Sequence, residues 1–303
     1  MTQHNTPRLG FIGFGEAGQA FASGLREAGV TSIAAWDILF PEPAGERLRR
    51  AADAIGVRIG RSNEDVVRDA DIVISAVTAA SSLEAARQSK PNLRPEQFFL
   101  DINSVSPGRK QETERHLEGR VRYVDVAVMA PVHPARHQTP VLLGGPFAET
   151  IEPLLRGLDM KPSVAGPAIG NAAAIKMVRS VMIKGMEALT LECFLAASRA
   201  GVLDQITASL GKSFPGLDWP KVVAYNLERM ANHGIRRAAE MEEVADTLRE
   251  LGVEPHMAGA TVLRQRQLGE VGKIAAIQRA TAEDVKALIE AIGAAFAAAG
   301  RAH

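Results

Sequence analysis

The first half of the chain alternates short apolar runs with stretches of helical period. "RLGFIGFG" predicts a strand, followed by a helix over 16–28. "TSIAAWD" predicts the second strand, and a helix follows over 41–54 with prolines suited to its first turn. "GVRIG" is a short third strand. Ser62 is placed to cap "NEDVVRDA", with Asp65 in the capping-box position. "DIVISAVT" and "FFLDINS" are β-branched or aromatic strands, Ser106-Pro107 opens a helix, and "RVRYVDVAVM" and "PVLLGG" are later strands. Strand and helix repeated in this way predict an α/β domain, a doubly wound and mostly parallel sheet covered on both faces.

After Gly166 the strands stop. Helical patterns follow over 171–200, 203–210, 219–231, 236–251, 255–268 and 281–299, the last with Thr281 as N-cap and Asp284 three residues on. The switch predicts two domains, 1–165 and an all-α 166–303. No internal repeat is visible in either.

Composition narrows the class. With 46% hydrophobic and 23% charged residues the chain can bury a large core, and its formal net charge of zero argues against a global grip on nucleic acid. No uncharged apolar run reaches the roughly 18 residues a membrane span needs. The N-terminus has no signal-peptide pattern. The single cysteine, Cys193, lies in an apolar helix and reads as a buried structural thiol. These features predict a soluble cytoplasmic protein.

"GFIGFGEAG" closes the first strand and opens the first helix, the context in which G-x-G-x-x-G carries meaning. Gly13 permits the tight turn, Gly15 lets a pyrophosphate approach the backbone, and Gly18 lets helix and strand pack. Phe14, Glu16 and Ala17 complete the loop. The phosphates would sit on the helix N-terminus, as in a Rossmann dinucleotide site. Asp37 ends the second strand, nineteen residues after Gly18, where its carboxylate would accept from the ribose hydroxyls and repel a 2′-phosphate. NAD is therefore expected over NADP, with Arg47, Arg49 and Arg50 able to soften the preference. Ligands in such sheets collect at the carboxyl ends of the strands. That adds Val77, Thr78, Asn103 and Ser104, although Thr78 and Ser104 equally suit helix capping.

"GNAAAIKMVRS" places Lys176 among apolar neighbours. Lys176, Ser180, Lys184 and Glu187 share one helical stripe. Lys184 and Glu187 read as a solvated pair, while Lys176 and Ser180 are expected at the interdomain cleft.

These motifs resemble the β-hydroxyacid dehydrogenases, the group of 3-hydroxyisobutyrate and 6-phosphogluconate dehydrogenases. The likeness covers nearly the whole chain, and is nearest to a 6-phosphogluconate-dehydrogenase-like branch. "GFIGFGEAG" resembles the family's cofactor signature, "DINSVSP" its loop after the fifth strand, "VDVAVMAP" its substrate-binding segment, and "GNAAAIKMVRS" its catalytic-lysine helix. The resemblance implies catalytic roles for Lys176 and Ser180, and substrate contacts from Ser104, Met129, Ala130 and Pro131. The family's C-terminal lysine has no counterpart, Ala239 standing there, so His233, Arg236 or Arg237 is expected to supply that contact, and His133 is expected to touch substrate from a loop. Ser180 stands where the family has asparagine, and Met129-Ala130-Pro131 replaces its Ser-Gly-Gly.

The implied reaction moves a hydride between NAD and a 3-hydroxy-acid-like substrate, with Lys176 as general acid and base. A lysine in water has a pKa of about 10.4, so Ile175 and Met177 are expected to desolvate Lys176 and lower it. An imine reductase is the rival enzyme, and Lys176 argues against it. An NAD-binding sensor or scaffold without turnover is the rival of another class. His133 and His137 lie four apart in "VHPARH", but the prolines make it a loop without a further ligand, so a substrate lid is expected there and no metal site. The long apolar helix from Asn171 predicts a homodimer through the helical domain.

Overall fold

The computed structural model describes residues 6–280 and 284–299. The expected cap Thr281 lies outside the described residues. The chain forms two compact units, Met1–Met177 and Val178–His303. The division falls eleven residues beyond the end of the last strand, inside a helix.

The first unit runs β1 (Leu9–Ile12), α1 (Glu16–Glu27), β2 (Ile33–Trp36), α2 (Glu46–Ile55), β3 (Arg58–Ile59), α3 (Asn63–Asp69), β4 (Ile72–Ser75), α4 (Ser82–Ser89), β5 (Phe98–Asp101), α5 (Pro107–Leu117), β6 (Arg122–Val128), β7 (Val141–Gly144), α6 (Ala148–Gly157) and β8 (Pro162–Gly166). The sheet order is β3-β2-β1-β4-β5-β6-β7-β8, parallel except for the β6–β7 pair. Alternation along the central strands explains why both faces are covered. Ile72, Ile74, Phe98 and Leu100 enter one core with Phe21 and Leu25 of α1 and Ile151 of α6. Val73 and Phe99 enter the other, with Val66 of α3, Ala86 of α4 and Leu117 of α5. Phe11, Phe21 and Phe99 are fully buried, each contributing about 1.5–3 kcal/mol of transfer free energy.

Local signals act as expected at two helix starts. The Ser62 hydroxyl accepts the Asp65 N–H at 3.2 Å, and Ser106 accepts the Arg109 N–H at 3.3 Å ahead of Pro107. Strand β8, with proline first and only that residue buried, carries little apolar signal. It occupies the sheet edge, where a proline is tolerated.

Helix α7 (Asn171–Arg199) crosses the division. The second unit continues with α8 (Leu203–Ser213), α9 (Trp219–Glu250), α10 (His256–Val271), α11 (Ala275–Arg279) and α12 (Val285–Ala299). Its core joins Leu191 and Phe194 of α7 with Val223 and Leu227 of α9, Leu268 of α10 and Ile292 of α12. Two helices expected at 219–231 and 236–251 are one helix, α9. Gly234, inside α9, is a packing glycine. A Cβ there would lie 2.7 Å from the Gly269 Cα of α10.

Two further expectations are corrected. Cys193 is exposed. Lys184 and Glu187 are not a solvated pair, being 6% and 1% exposed. Lys184 Nζ pairs with Glu240 at 2.7 Å, while Glu187 accepts from Arg237 Nε at 3.0 Å and from Gln265 Nε2 at 2.8 Å. Helical spacing alone cannot tell a solvated charge from one that α9 and α10 cover. Burial pushes the Lys184 pKa down, opposed by Glu240. Among the described residues no helix is long and apolar enough to cross a membrane.

Candidate active site

Each glycine of the turn meets a different demand. Gly13 has φ +90°, and a Cβ there would collide with the Ala76 carbonyl and stand 2.8 Å from Val77 Cγ1. Only glycine adopts that conformation at so close an approach without strain. Gly18 clears the Gly13 carbonyl, which a Cβ would reach at 2.7 Å. Among the described residues, a Cβ on Gly15 would meet nothing within 4 Å. Gly15 is also the N-cap of α1 and brings no side-chain cap. The first amides of a helix lack intrahelical partners and sit at its positive end. An open, uncapped N-terminus after a parallel strand therefore fits a dinucleotide pyrophosphate. Asp37 follows β2, half-buried. Its Oδ2 accepts the Phe14 N–H at 2.8 Å and its Oδ1 accepts the Leu39 N–H at 2.9 Å. Glu16 is exposed and Ala17 half-buried beside the turn.

From the turn a run of contacts leads to the lysine. Gly13 abuts Val77, and the Val77 N–H donates to Asn103 Oδ1 at 2.7 Å. Asn103 Nδ2 donates to Ser75 Oγ at 2.9 Å, so this buried amide ties the ends of β4 and β5 together. Ser104 comes next, and Lys176 Nζ donates to its Oγ at 2.6 Å. Thr78 is exposed, with its hydroxyl on Ser81.

The environment of Lys176 differs from expectation. Met177 is buried, but Ile175 and Val178 are 45% and 47% exposed, and Lys176 itself is half-buried. The lysine rests on Ser104 rather than inside an apolar sleeve. Met129 is half-buried at the end of β6, and Ala130, Pro131 and His133 are exposed. The loop they begin is anchored on α1. His137 lies against Gly24, whose Cβ would stand 2.8 Å from His137 Cγ, and Arg136 pairs with Glu27. Among the described residues no group of three or more His, Cys, Asp or Glu side chains could hold a metal ion.

In the second unit Ser180 is buried one turn after Lys176 on α7, and His233 is exposed on α9. Arg237, expected to meet substrate, is 3% exposed with its guanidinium on Glu187.

Sequence reasoning passed over a buried charged group beneath the site. Lys110 of α5, 1% exposed, donates to the Asp101 carbonyl at 2.6 Å and pairs with Asp101 Oδ1 at 3.0 Å. Asp125 Oδ1 lies 3.6 Å from the same ammonium, and the Tyr123 hydroxyl donates to Asp101 Oδ2 at 2.8 Å. The available signal was an aspartate inside or ending each of two apolar runs, "FFLD" and "YVDVAV".

A glycine turn opening α1, an acidic end to β2 and polar side chains along the carboxyl edge define an oxidoreductase of Rossmann type. Residues 8–105 match a family described as NADP oxidoreductase, coenzyme F420-dependent, and residues 197–268 match a domain of unknown function, DUF1932. The chain is 35% identical to a conserved hypothetical protein from Sinorhizobium meliloti 1021, over 97% of this chain and 98% of that one, with a TM-score of 0.76. It is 33% identical to a conserved protein of unknown function described as structurally similar to 3-hydroxyacid dehydrogenases, over 87% and 97% of the two chains, with a TM-score of 0.69. The chain belongs to the β-hydroxyacid dehydrogenase-like family. At lower identity it shares the fold of a Mycobacterium tuberculosis 3-hydroxyisobutyrate dehydrogenase solved with L-serine (19%, 93% and 98% covered, TM-score 0.71). It also shares the fold of a Myxococcus stipitatus imine reductase variant solved with NAD+ (20%, 94% and 99% covered, TM-score 0.59).

Proposed function

We propose that the chain is a dehydrogenase that transfers a hydride between NAD and a 3-hydroxy-acid-like small molecule, with Lys176 as general acid and base. The Lys176–Ser104 hydrogen bond carries this reading, because it joins the lysine to the same strand ends that adjoin the glycine turn. A nicotinamide dinucleotide, held by the amides of residues 13–18 and by Asp37, supplies the hydride acceptor in oxidation and the donor in reduction. Lys176 in its neutral form takes the substrate hydroxyl proton, and in its protonated form returns it. Ser104 fixes the amine, and Ser180 is assigned to orient the same hydroxyl. L-serine, found with the mycobacterial relative, is itself a 3-hydroxy acid, which supports that substrate class.

A panel of 3-hydroxy and 2-hydroxy acids, followed by NADH absorbance, tests the reading. Turnover of a 3-hydroxy acid supports it. Imine reduction without keto-acid reduction would support the imine reductase instead, a reading the shared fold keeps in view. Tight NAD binding without turnover would support a sensor.

We also propose a homodimer through the helical unit. Met182, Met186 and Leu189 are exposed at helical spacing along α7, with Ile183 beside them. A monomer by sedimentation velocity at micromolar concentration would refute it.

A further inference from the structure

We infer that Asp125 is a positioning residue for Lys176: its buried carboxylate holds the first turn of α7 and thereby sets the reach of Lys176 to Ser104. The inference rests on the proposed proton-transfer role of Lys176.

Asp125 lies in the middle of β6 with no exposed surface. Its Oδ2 accepts the Ala173 N–H at 3.0 Å, three residues before Lys176 on the same helix. Amides of a first turn have no intrahelical acceptor, and the helix dipole adds to the attraction of a carboxylate there. The approach needs space, which Gly144 provides. It pairs with Asp125 across β6 and β7, and a Cβ on it would stand 3.0 Å from Ala172 N and 3.1 Å from Asp125 Oδ2.

The other half of the contact is tied to the same place. Asp101 Oδ1 accepts the Asn103 N–H at 3.0 Å, which fixes the loop that carries Ser104. Lys110 then joins the two carboxylates, 3.0 Å from Asp101 and 3.6 Å from Asp125. The serine loop and the start of the lysine helix are thus referenced to one buried ammonium. Burial pushes the Asp125 carboxyl up, while Lys110 and the Ala173 and Gly170 amides hold it down. The charged, helix-holding form therefore depends on those partners. Catalytic groups need placing within about 0.5 Å, and an amine at the end of a flexible four-carbon stem gets that precision only from its backbone and its hydroxyl partner.

The test compares Asp125→Asn, which keeps one acceptor oxygen for Ala173, with Asp125→Ala, which keeps none. Trace acylation of the full chain without cofactor, read lysine by lysine by peptide mass spectrometry, reports the Lys176 environment independently of turnover. Asp125→Ala should change the Lys176 acylation rate at least about fivefold, leave exposed lysines such as Lys221 unaltered, and lower kcat by about 100-fold with KM nearly unchanged. Asp125→Asn should recover most of both. Unchanged Lys176 acylation and kcat in Asp125→Ala would overturn the inference. So would equal losses in the two variants that merely track thermal stability. If Asp125→Ala does not fold, Gly144→Ala replaces it. Crowding of the α7 amide should then shift Lys176 acylation selectively, and no shift would overturn the inference. Should Lys176→Ala keep normal turnover while Asp125→Ala still shifts Lys176 acylation, the proton-transfer role fails and the positioning stands.

Discussion

Asp37 Oδ2 accepts the Phe14 N–H at 2.8 Å, which joins the acidic end of β2 to the glycine turn of α1. The same carboxylate is thereby presented beside the helix N-terminus where a dinucleotide would bind. A fixed negative charge there opposes a 2′-phosphate. The native chain should bind NAD at least about tenfold more tightly than NADP, a difference of about 1.4 kcal/mol. Asp37→Ser should weaken NAD and narrow the gap. Titration calorimetry with both nucleotides checks this, and equal affinities in the native chain would contradict it.

Glu187 is a buried acceptor shared by Arg237 and Gln265, with Arg229 at 3.4 Å. Removing one partner of such a group leaves uncompensated buried charge. Glu187→Ala should cost about 3–5 kcal/mol in urea unfolding. Glu187→Gln should cost less, since it retains an acceptor. A cost under about 1 kcal/mol would show that water repairs the defect.

Gly234 and Gly269 bring α9 and α10 into backbone contact. Alanine is the better helix former by about 1 kcal/mol, so propensity alone predicts that Gly234→Ala stabilises. Crowding predicts the reverse, a loss of about 1–3 kcal/mol. The sign of the shift in the unfolding midpoint decides between them.

His137 is 6% exposed, and among the described residues neither ring nitrogen has a hydrogen-bond partner. Burial holds its pKa below 6.5, against the opposing charge of Asp159 at 3.8 Å. Above that value the ring is neutral whether folded or unfolded. As pH falls below it the unfolded chain takes up the proton first, so folding stability drops. His137→Asn should flatten the stability profile between about pH 7 and pH 5. An unchanged slope would mean that other groups carry the acid sensitivity.

The continuous apolar runs of β4 and β5 and the capping serines at 62 and 106 made the first unit legible in sequence, because their signals are local. The glycine turn was legible for the same reason. The continuity of α9 through Gly234 was not legible, since a glycine at a helix end and one that admits a neighbouring helix look alike until α10 is in place. Lys110 gave no signal. Within "GRKQETERHL" it has the surroundings of a solvated lysine, and only the pairing of β5 with β6 sets Asp101 beside Asp125, the two carboxylates it meets. The expectation that Ile175 and Met177 desolvate Lys176 came from counting chain neighbours. Met177 is buried but Ile175 is 45% exposed, and Ser104, distant in sequence, accepts from the ammonium.

In the proposed function Lys176 moves the proton while residues 13–18 and Asp37 hold the dinucleotide. Single-turnover oxidation of a responsive 3-hydroxy acid by Lys176→Ala tests it most directly, with NAD affinity measured on the same sample. A loss of at least about 100-fold in the chemical step is expected, with NAD affinity nearly unchanged. A variant that turns over at the native rate with NAD bound as tightly as before would contradict it.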